Sequence, residues 1–358
     1  MNKSTSTTTR LAALDQFRGY TVAGMFAVNA LGSFTAVPAL LKHHQGWCSY
    51  ADTIMPQFFF AVGMALRIVL SREAEEHGRS QALRRGARRG LLLLLIGFCW
   101  YHPSRDFNTW VELTTTHPGT TFRDLFLTNV FQALTHIGAA TLWVLPVILC
   151  GVRARIAWAL GSALLHLWLS HAFWFDTLRE WRVIDGGPLG FLTWSLPVLT
   201  GSLVLDAVQA AQPGLMRRLV GIALVLMAGG YGIACATQGG NLASPPGVAA
   251  WHPRDLWTMS QQTGSVSYQL FSSGFSLAVF VFFLWWTGQR GHSWPLFSTL
   301  GKNALVAYLI HMTLLGCLEH VAPRDAPLWY ALAISSLGFV MCWLAVRWCN
   351  ARQLILRL

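Results

Sequence analysis

Apolar stretches of membrane length recur along the whole of this 358-residue chain, and nothing else in it restricts the fold as severely. In lipid every backbone N–H and C=O needs a partner, so a spanning segment is a helix or a strand of a closed barrel. A helix needs about 20 mostly apolar residues to cross the hydrocarbon layer. Ten segments meet that length: 12–34, 51–71, 88–102, 125–149, 155–175, 188–208, 217–237, 267–288, 296–318 and 327–349. The third is short, but Arg88 and Arg89 can snorkel to the headgroups and lengthen it. The expectation is therefore all-α, a polytopic transmembrane helix bundle of about ten spans.

Composition supports the class and removes others. Only 11% of residues are charged and 54% are hydrophobic, against roughly a quarter charged in soluble domains. No linker separates two apolar halves, so residues 1–358 read as a single integral-membrane domain with a polar tail at 1–11. The formal charge of +11 invites nucleic acid, yet most basic residues flank apolar runs, where positive-inside topology explains them. Nucleic-acid binding is excluded on that ground. The seven cysteines show no CxxC pair, and buried thiols are the expectation, with any pairing on the outer side left open by spacing. No HxxxH or HExxH pair occurs, so no metal site is expected.

Orientation follows from the basic residues. Sixteen Lys and Arg fall in the amino-terminal tail and the connectors after even-numbered segments, and seven fall on the opposite side. Both termini are then cytoplasmic. The longer connectors, 101–124, 176–187 and 238–266, lie outside and are rich in Trp, His, Pro and Gly, as expected of lids or vestibule walls.

Polar groups inside apolar segments are costly, and each is a functional-site hypothesis. Residues 14–63 concentrate them: Asp15, Arg18 and Asn29 in the first segment, then His43, His44 and Asp52 around the connector to the second. At about 1.5 Å per residue, Asn29, His44 and Asp52 reach the outer end, and His311 and His171 fall in the same leaflet. Histidine exchanges protons near neutral pH and can act as a nucleophile. Plainer roles compete: Asp15 and Arg18 are three apart and able to pair, Asn29 can bond a neighbouring helix, and Asp52 can cap a helix. Gln132 and His136 share a helix face and can line a cavity or bind another helix.

Six blocks carry a resemblance. LDQFRGYTVAGMFAVN (14–29), HHQGW (43–47), ADTIMPQFFFAVG (51–63), NVFQALTHIG (129–138), DLWTMS (255–260) and LGKNALVAYLIH (300–311) are similar, in the same order, to the heparan-α-glucosaminide N-acetyltransferase family. The resemblance implies a membrane acetyltransferase that takes acetyl from cytosolic acetyl-CoA and delivers it to a sugar amine on the other side. It puts the active histidine at His44, in the HxxW pattern ending at Trp47, with Asn29 and His311 as its catalytic companions. After Trp47 the chain is about two residues shorter than the family pattern before Asp52, which brings His43 into play as an alternative register.

The expected activity is acetyl transfer to an amino-sugar or related glycan acceptor, with His44, Asn29, His311 and Asp52 catalytic and Arg18 and Lys302 holding the CoA phosphates. The mechanism divides between an acetyl-histidine and a ternary complex. Asp52 fixes a histidine tautomer or holds an ammonium acceptor. Rival readings are O-acetylation of envelope polysaccharide or lipid, and a non-catalytic transporter. Expected partners are acetyl-CoA, the glycan acceptor and the bilayer, with a homodimer open. The expected location is an inner, cytoplasmic membrane of bacterial type.

Overall fold

The computed structural model describes residues 3–101, 109–116, 119, 130–181, 183–236, 242–251, 254–288 and 290–355. Among these there are helices and no strand. In chain order they are α1 (Lys3–Gly32), α2 (Tyr50–His77), α3 (Arg79–Trp100), the short α4 (Trp110–Thr115), α5 (Ala133–Ile148), α6 (Val152–Leu169), α7 (Phe175–Trp181), α8 (Phe191–Ala210), α9 (Leu215–Cys235), α10 (Val266–Gly288), α11 (Pro295–Lys302), α12 (Ala304–Glu319) and α13 (Leu328–Ala351). A π-helical turn, Ser170–Trp174, joins α6 to α7.

Six helical stretches among the described residues are long and apolar enough to cross a membrane, or seven if the bent pair α11 and α12 counts as one span. The chain is thus a multi-pass membrane protein. The ten expected segments each find a helix, but α1, α3 and α5 are not among the six. Asp15, Gln16 and Arg18 interrupt α1, the first half of α3 is arginine-rich, and α5 has 16 residues. Residues 125–129 of the fourth expected segment lie outside the described residues.

The ninth expected segment is also not straight. At Asn303 α11 and α12 meet at 95°, with Asn303 at φ −132°, ψ 48°. Its side-chain amide donates to the Leu354 carbonyl at 2.8 Å. The bend lets α11 lie across α1, backbone against backbone. A Cβ on Gly19 would stand 1.8 Å from the Phe297 carbonyl oxygen, and one on Gly301 would stand 1.8 Å from that of Asp15.

The same reciprocity joins α2 to α8. A Cβ on Gly63 would lie 1.9 Å from the Val198 oxygen, and one on Gly201 would lie 2.1 Å from that of Phe60. Small residues are what allow such approach where lipid removes the hydrophobic drive between helices. Backbone on both sides cannot yield, so Gly63→Val is expected to leave no correctly folded protein. Size-exclusion profile and yield in detergent test this, and a monodisperse variant at wild-type yield would contradict it.

Around these crossings Phe17, Phe60 and Phe280 interlock edge to face at 5.7 and 5.8 Å, a preferred geometry for aromatic pairs. α6 and α9 form outer walls, with Leu164 65% and Val225 71% exposed where acyl chains would cover them. All seven cysteines are free. Arg155, at the very start of the fifth expected segment, lies within α6 and is fully buried.

Candidate active site

The connector between α1 and α2 is pinned by the way α2 begins. Ser49 caps the helix, its hydroxyl accepting from the Asp52 N–H at 3.2 Å while Asp52 Oδ2 accepts from the Ser49 N–H at 2.9 Å. This is a capping box, in which two orphan donors are satisfied reciprocally. The Ser49 hydroxyl also lies 2.7 Å from the Lys42 carbonyl, to which it can donate. That contact draws the chain back over the helix start and delivers His43 to the free edge of Asp52, where His43 Nδ1 and Asp52 Oδ1 are 2.8 Å apart.

Asp52 is anchored a second way. Pro56, four residues on, has no N–H, so the Asp52 carbonyl lacks its helical partner. The Tyr268 hydroxyl of α10 supplies one at 2.6 Å. Asp52 is fully buried, and His43 is about half-exposed. A carboxylate on Nδ1–H holds the imidazole in the tautomer whose Nε2 is basic.

His43 opens on a cavity of about 890 Å³ whose walls include Asn29, His44, Asp52, Gln132, Asp185, Gln261, Tyr308 and Glu319. Volumes of this order hold small organic ligands. His44 shares the cavity but is turned against the connector, its Nε2 2.7 Å from the Ala39 carbonyl and its ring stacked on Trp47 at 4.1 Å. Asn29 Nδ2 lies 3.5 Å from His311 Nε2. His311 is buried, and its Nδ1 has no partner within hydrogen-bonding distance.

Of the residues expected in the site, Asn29, His43, His44, Asp52 and His311 are brought together. His171 is exposed and lines a separate groove with Trp168 and Trp257. Gln132 reaches the cavity, whereas His136 is buried beneath the loop before α8, its Cε1 2.8 Å from where a Cβ on Gly190 would be. Arg18 lies 4.0 Å from the Asp15 carboxylate, and the charge of Lys302 also acts on Asp15. Eleven residues of α1 separate Arg18 from Asn29, about 16 Å along the axis.

Four of these cavity residues, Asp185, Gln261, Tyr308 and Glu319, were not singled out from sequence. Asp185 is buried in the IDGGPLG loop and adopts φ 53°, beside Gly186 at 80° and Gly187 at 56°. Left-handed backbone is costly for a non-glycine residue. It is held by Trp194 Nε1 donating to the Asp185 carbonyl at 2.8 Å and by the Gly186 N–H donating to the Gln262 carbonyl at 2.8 Å. Gln261 Nε2 donates to Asp185 Oδ1 at 2.8 Å. The legible signal was an Asp before two glycines in a connector expected outside, a pattern that a plain turn also produces.

The electrostatics couple these groups. Burial alone would lower the pKa of His43, but the Asp52 hydrogen bond and the charges of Asp52 and Asp185 outweigh it, and the net direction is upward from 6.5. Burial pushes Asp185 up to about 6, against the pull of Gln261 and His43. Among the described residues no group of three His, Cys, Asp or Glu is placed to hold a metal ion.

An oriented histidine beside a carboxylate, facing a large cavity of mixed polar and apolar lining in a multi-pass helical bundle, is an arrangement capable of acid–base or nucleophilic chemistry. Residues 10–184 match the family model for the heparan-alpha-glucosaminide N-acetyltransferase catalytic region, a match that supports membership of that family. The matched stretch contains Asn29, His43, His44 and Asp52, ends one residue before Asp185, and leaves Tyr308 and His311 outside. No curated protein matches the chain.

Proposed function

We propose that the protein transfers acetyl from cytosolic acetyl-CoA to the amine of an amino sugar or related glycan on the outer side of a bacterial-type inner membrane. The observation that carries the reading is the His43–Asp52 couple opening on the cavity in a chain of this family. In this reading all ten helical segments cross the bilayer, both termini are cytoplasmic, and the cavity faces outward. Arg18 and Lys302 then lie toward the cytoplasm, where cations suit the CoA phosphates. The pantetheine arm bridges the remaining depth to the cavity.

His43 is the residue we place at the chemistry. Its Nε2 takes a proton from the acceptor amine, whose nitrogen attacks the thioester carbonyl carbon while the C–S bond breaks toward CoA. Asn29 donates to the developing oxyanion, and His311 beside it relays the second proton of the acceptor ammonium to the departing thiolate. His44 keeps the connector in place through Ala39 and Trp47. The resemblance favours His44 in the central role, and the HxxW pattern keeps that register as the second reading. Asp185 and Glu319 give the cavity further carboxylates, which suit an ammonium better than a neutral hydroxyl and favour N-acetylation over O-acetylation.

Labelled acetyl-CoA supplied to the protein in membranes, with mass spectrometry of glycan and lipid products, tests the assignment. N-acetylated product is expected. Label recovered on hydroxyls would move the acceptor class, and intact CoA ester crossing the membrane would make the protein a transporter.

The pH profile has a definite sign. A base must be unprotonated, so a pKa raised above 6.5 moves the rising limb of the rate to higher pH, and activity falls as pH drops through it. Removing the carboxylate with Asp52→Asn is expected to shift that limb to lower pH while lowering the plateau. A limb that stays in place in Asp52→Asn would detach it from His43.

A further inference from the structure

Tyr308 lines the cavity from α12 and is buried, with 5% of its surface exposed. Its hydroxyl lies 2.7 Å from that of Tyr101, at the end of α3. The direction of this bond follows from a third group. The Leu134 N–H, in the first turn of α5, is one of the donors a helix leaves without an internal partner, and it donates to the Tyr101 oxygen at 3.0 Å. Tyr101 is buried too, and the Tyr308 oxygen is the acceptor in reach of its single proton. If Tyr308 donated instead, the Tyr101 proton would be left buried without a partner, the costlier arrangement. The chain therefore runs from Leu134 N–H to Tyr101 to Tyr308, and leaves the Tyr308 proton for the cavity.

That direction has a chemical consequence. The sequence of donors starts at the positive end of α5, and linked hydrogen bonds polarise one another. Tyr308 is thereby a stronger donor than an isolated phenol, fixed before any ligand arrives. Its ring meets His311 edge to face at 5.0 Å, and His311 contacts Asn29, so Tyr308 belongs to the same wall as the two polar groups of α1 and α12.

We propose that Tyr308 is a catalytic oxyanion donor for acetyl transfer, aimed by Tyr101; this rests on the acetyltransferase reading. When the acceptor nitrogen bonds to the thioester carbonyl carbon, the carbonyl π pair moves to oxygen. The Tyr308 proton hydrogen-bonds that oxyanion without being transferred. The pair returns to carbon as the C–S bond breaks, CoA leaves as thiolate, and the protons lost by the ammonium go to His43 and the thiolate. Tyr101 touches no substrate and is a positioning residue.

The test uses full-length protein in lipid nanodiscs with acetyl-CoA and glucosamine as probes, each rate normalised to folded protein. Tyr308→Phe is expected to lower kcat by about a hundredfold, in line with loss of one oxyanion donor, with KM for both probes within about twofold of wild type. Tyr101→Phe is expected to lower kcat by about tenfold, and the double variant to be no slower than Tyr308→Phe, because Tyr101 acts only through Tyr308. A kcat for Tyr308→Phe near that of an active wild type, or losses that multiply in the double variant, would overturn this inference alone. A wild type that transfers no acetyl would overturn the acetyltransferase reading and this inference with it.

Discussion

His43→Ala is expected to lower acetyl transfer by about a hundred- to ten-thousandfold, the range for removing a positioned acid–base group. The residue sits half-exposed in a connector, so folding and membrane insertion should be retained. His44→Ala serves as the comparison. Its imidazole bonds the Ala39 carbonyl and stacks on Trp47, and losing these contacts is expected to cost less than about tenfold. Initial rates with labelled acetyl-CoA decide between the two. If His44→Ala is the dead variant and His43→Ala is active, the HxxW register holds and the Asp52 couple is structural. Full activity in both would remove histidine from the centre of the mechanism.

A large loss of stability is expected on removing the Asp206 carboxylate. This group accepts from Arg67 Nε at 3.0 Å and Nη2 at 3.2 Å, and also from Arg155 Nη2. Arg67 further donates to the Ile148 carbonyl at 2.9 Å, and Arg155 to the Ser202 hydroxyl at 3.1 Å. One acid thus ties α2, α5, α6 and α8 together, and Arg155 has only 1% of its side chain exposed. Asp206→Ala leaves the buried Arg155 guanidinium, and the partly exposed one of Arg67, without their carboxylate, and breaking a buried pair costs about 3–5 kcal/mol. Thermal unfolding in detergent should show the loss, and Arg155→Ala with Asp206→Ala should be less destabilised than Asp206→Ala alone. A variant as stable as wild type would mean that water reaches the pair.

The same arrangement shows where linear reading stops. Arg155 and Arg67 look alike in sequence as basic residues near segment ends, the first counted toward topology and the second left within a segment. That one is sealed inside the bundle depends on Asp206 arriving from another helix. Asp185 was equally opaque. Its neighbours Gly186 and Gly187 announce a turn, but its aim into the cavity depends on Trp194, Gln261 and Gln262, two of them some 75 residues away in sequence. Asn303 reads as a mid-segment amide, and the 95° bend there follows from how α11 crosses α1.

By itself the sequence determined the class of protein, because apolar segments of membrane length leave helices as the fold consistent with their composition. It also pointed to part of the proposed site, Asn29, His43, His44, Asp52 and His311, through the first connector and the blocks that carry the family resemblance, and missed Asp185 and Tyr308. Only the tertiary structure decided which histidine meets Asp52. Adjacent residues on a connector share one position in sequence, and the Ser49 to Lys42 contact, the carbonyl freed by Pro56 and the Ala39 carbonyl turn His43 toward the carboxylate and His44 away from it. Side-chain direction in a loop is set by such long-range partners, which spacing along a chain does not encode.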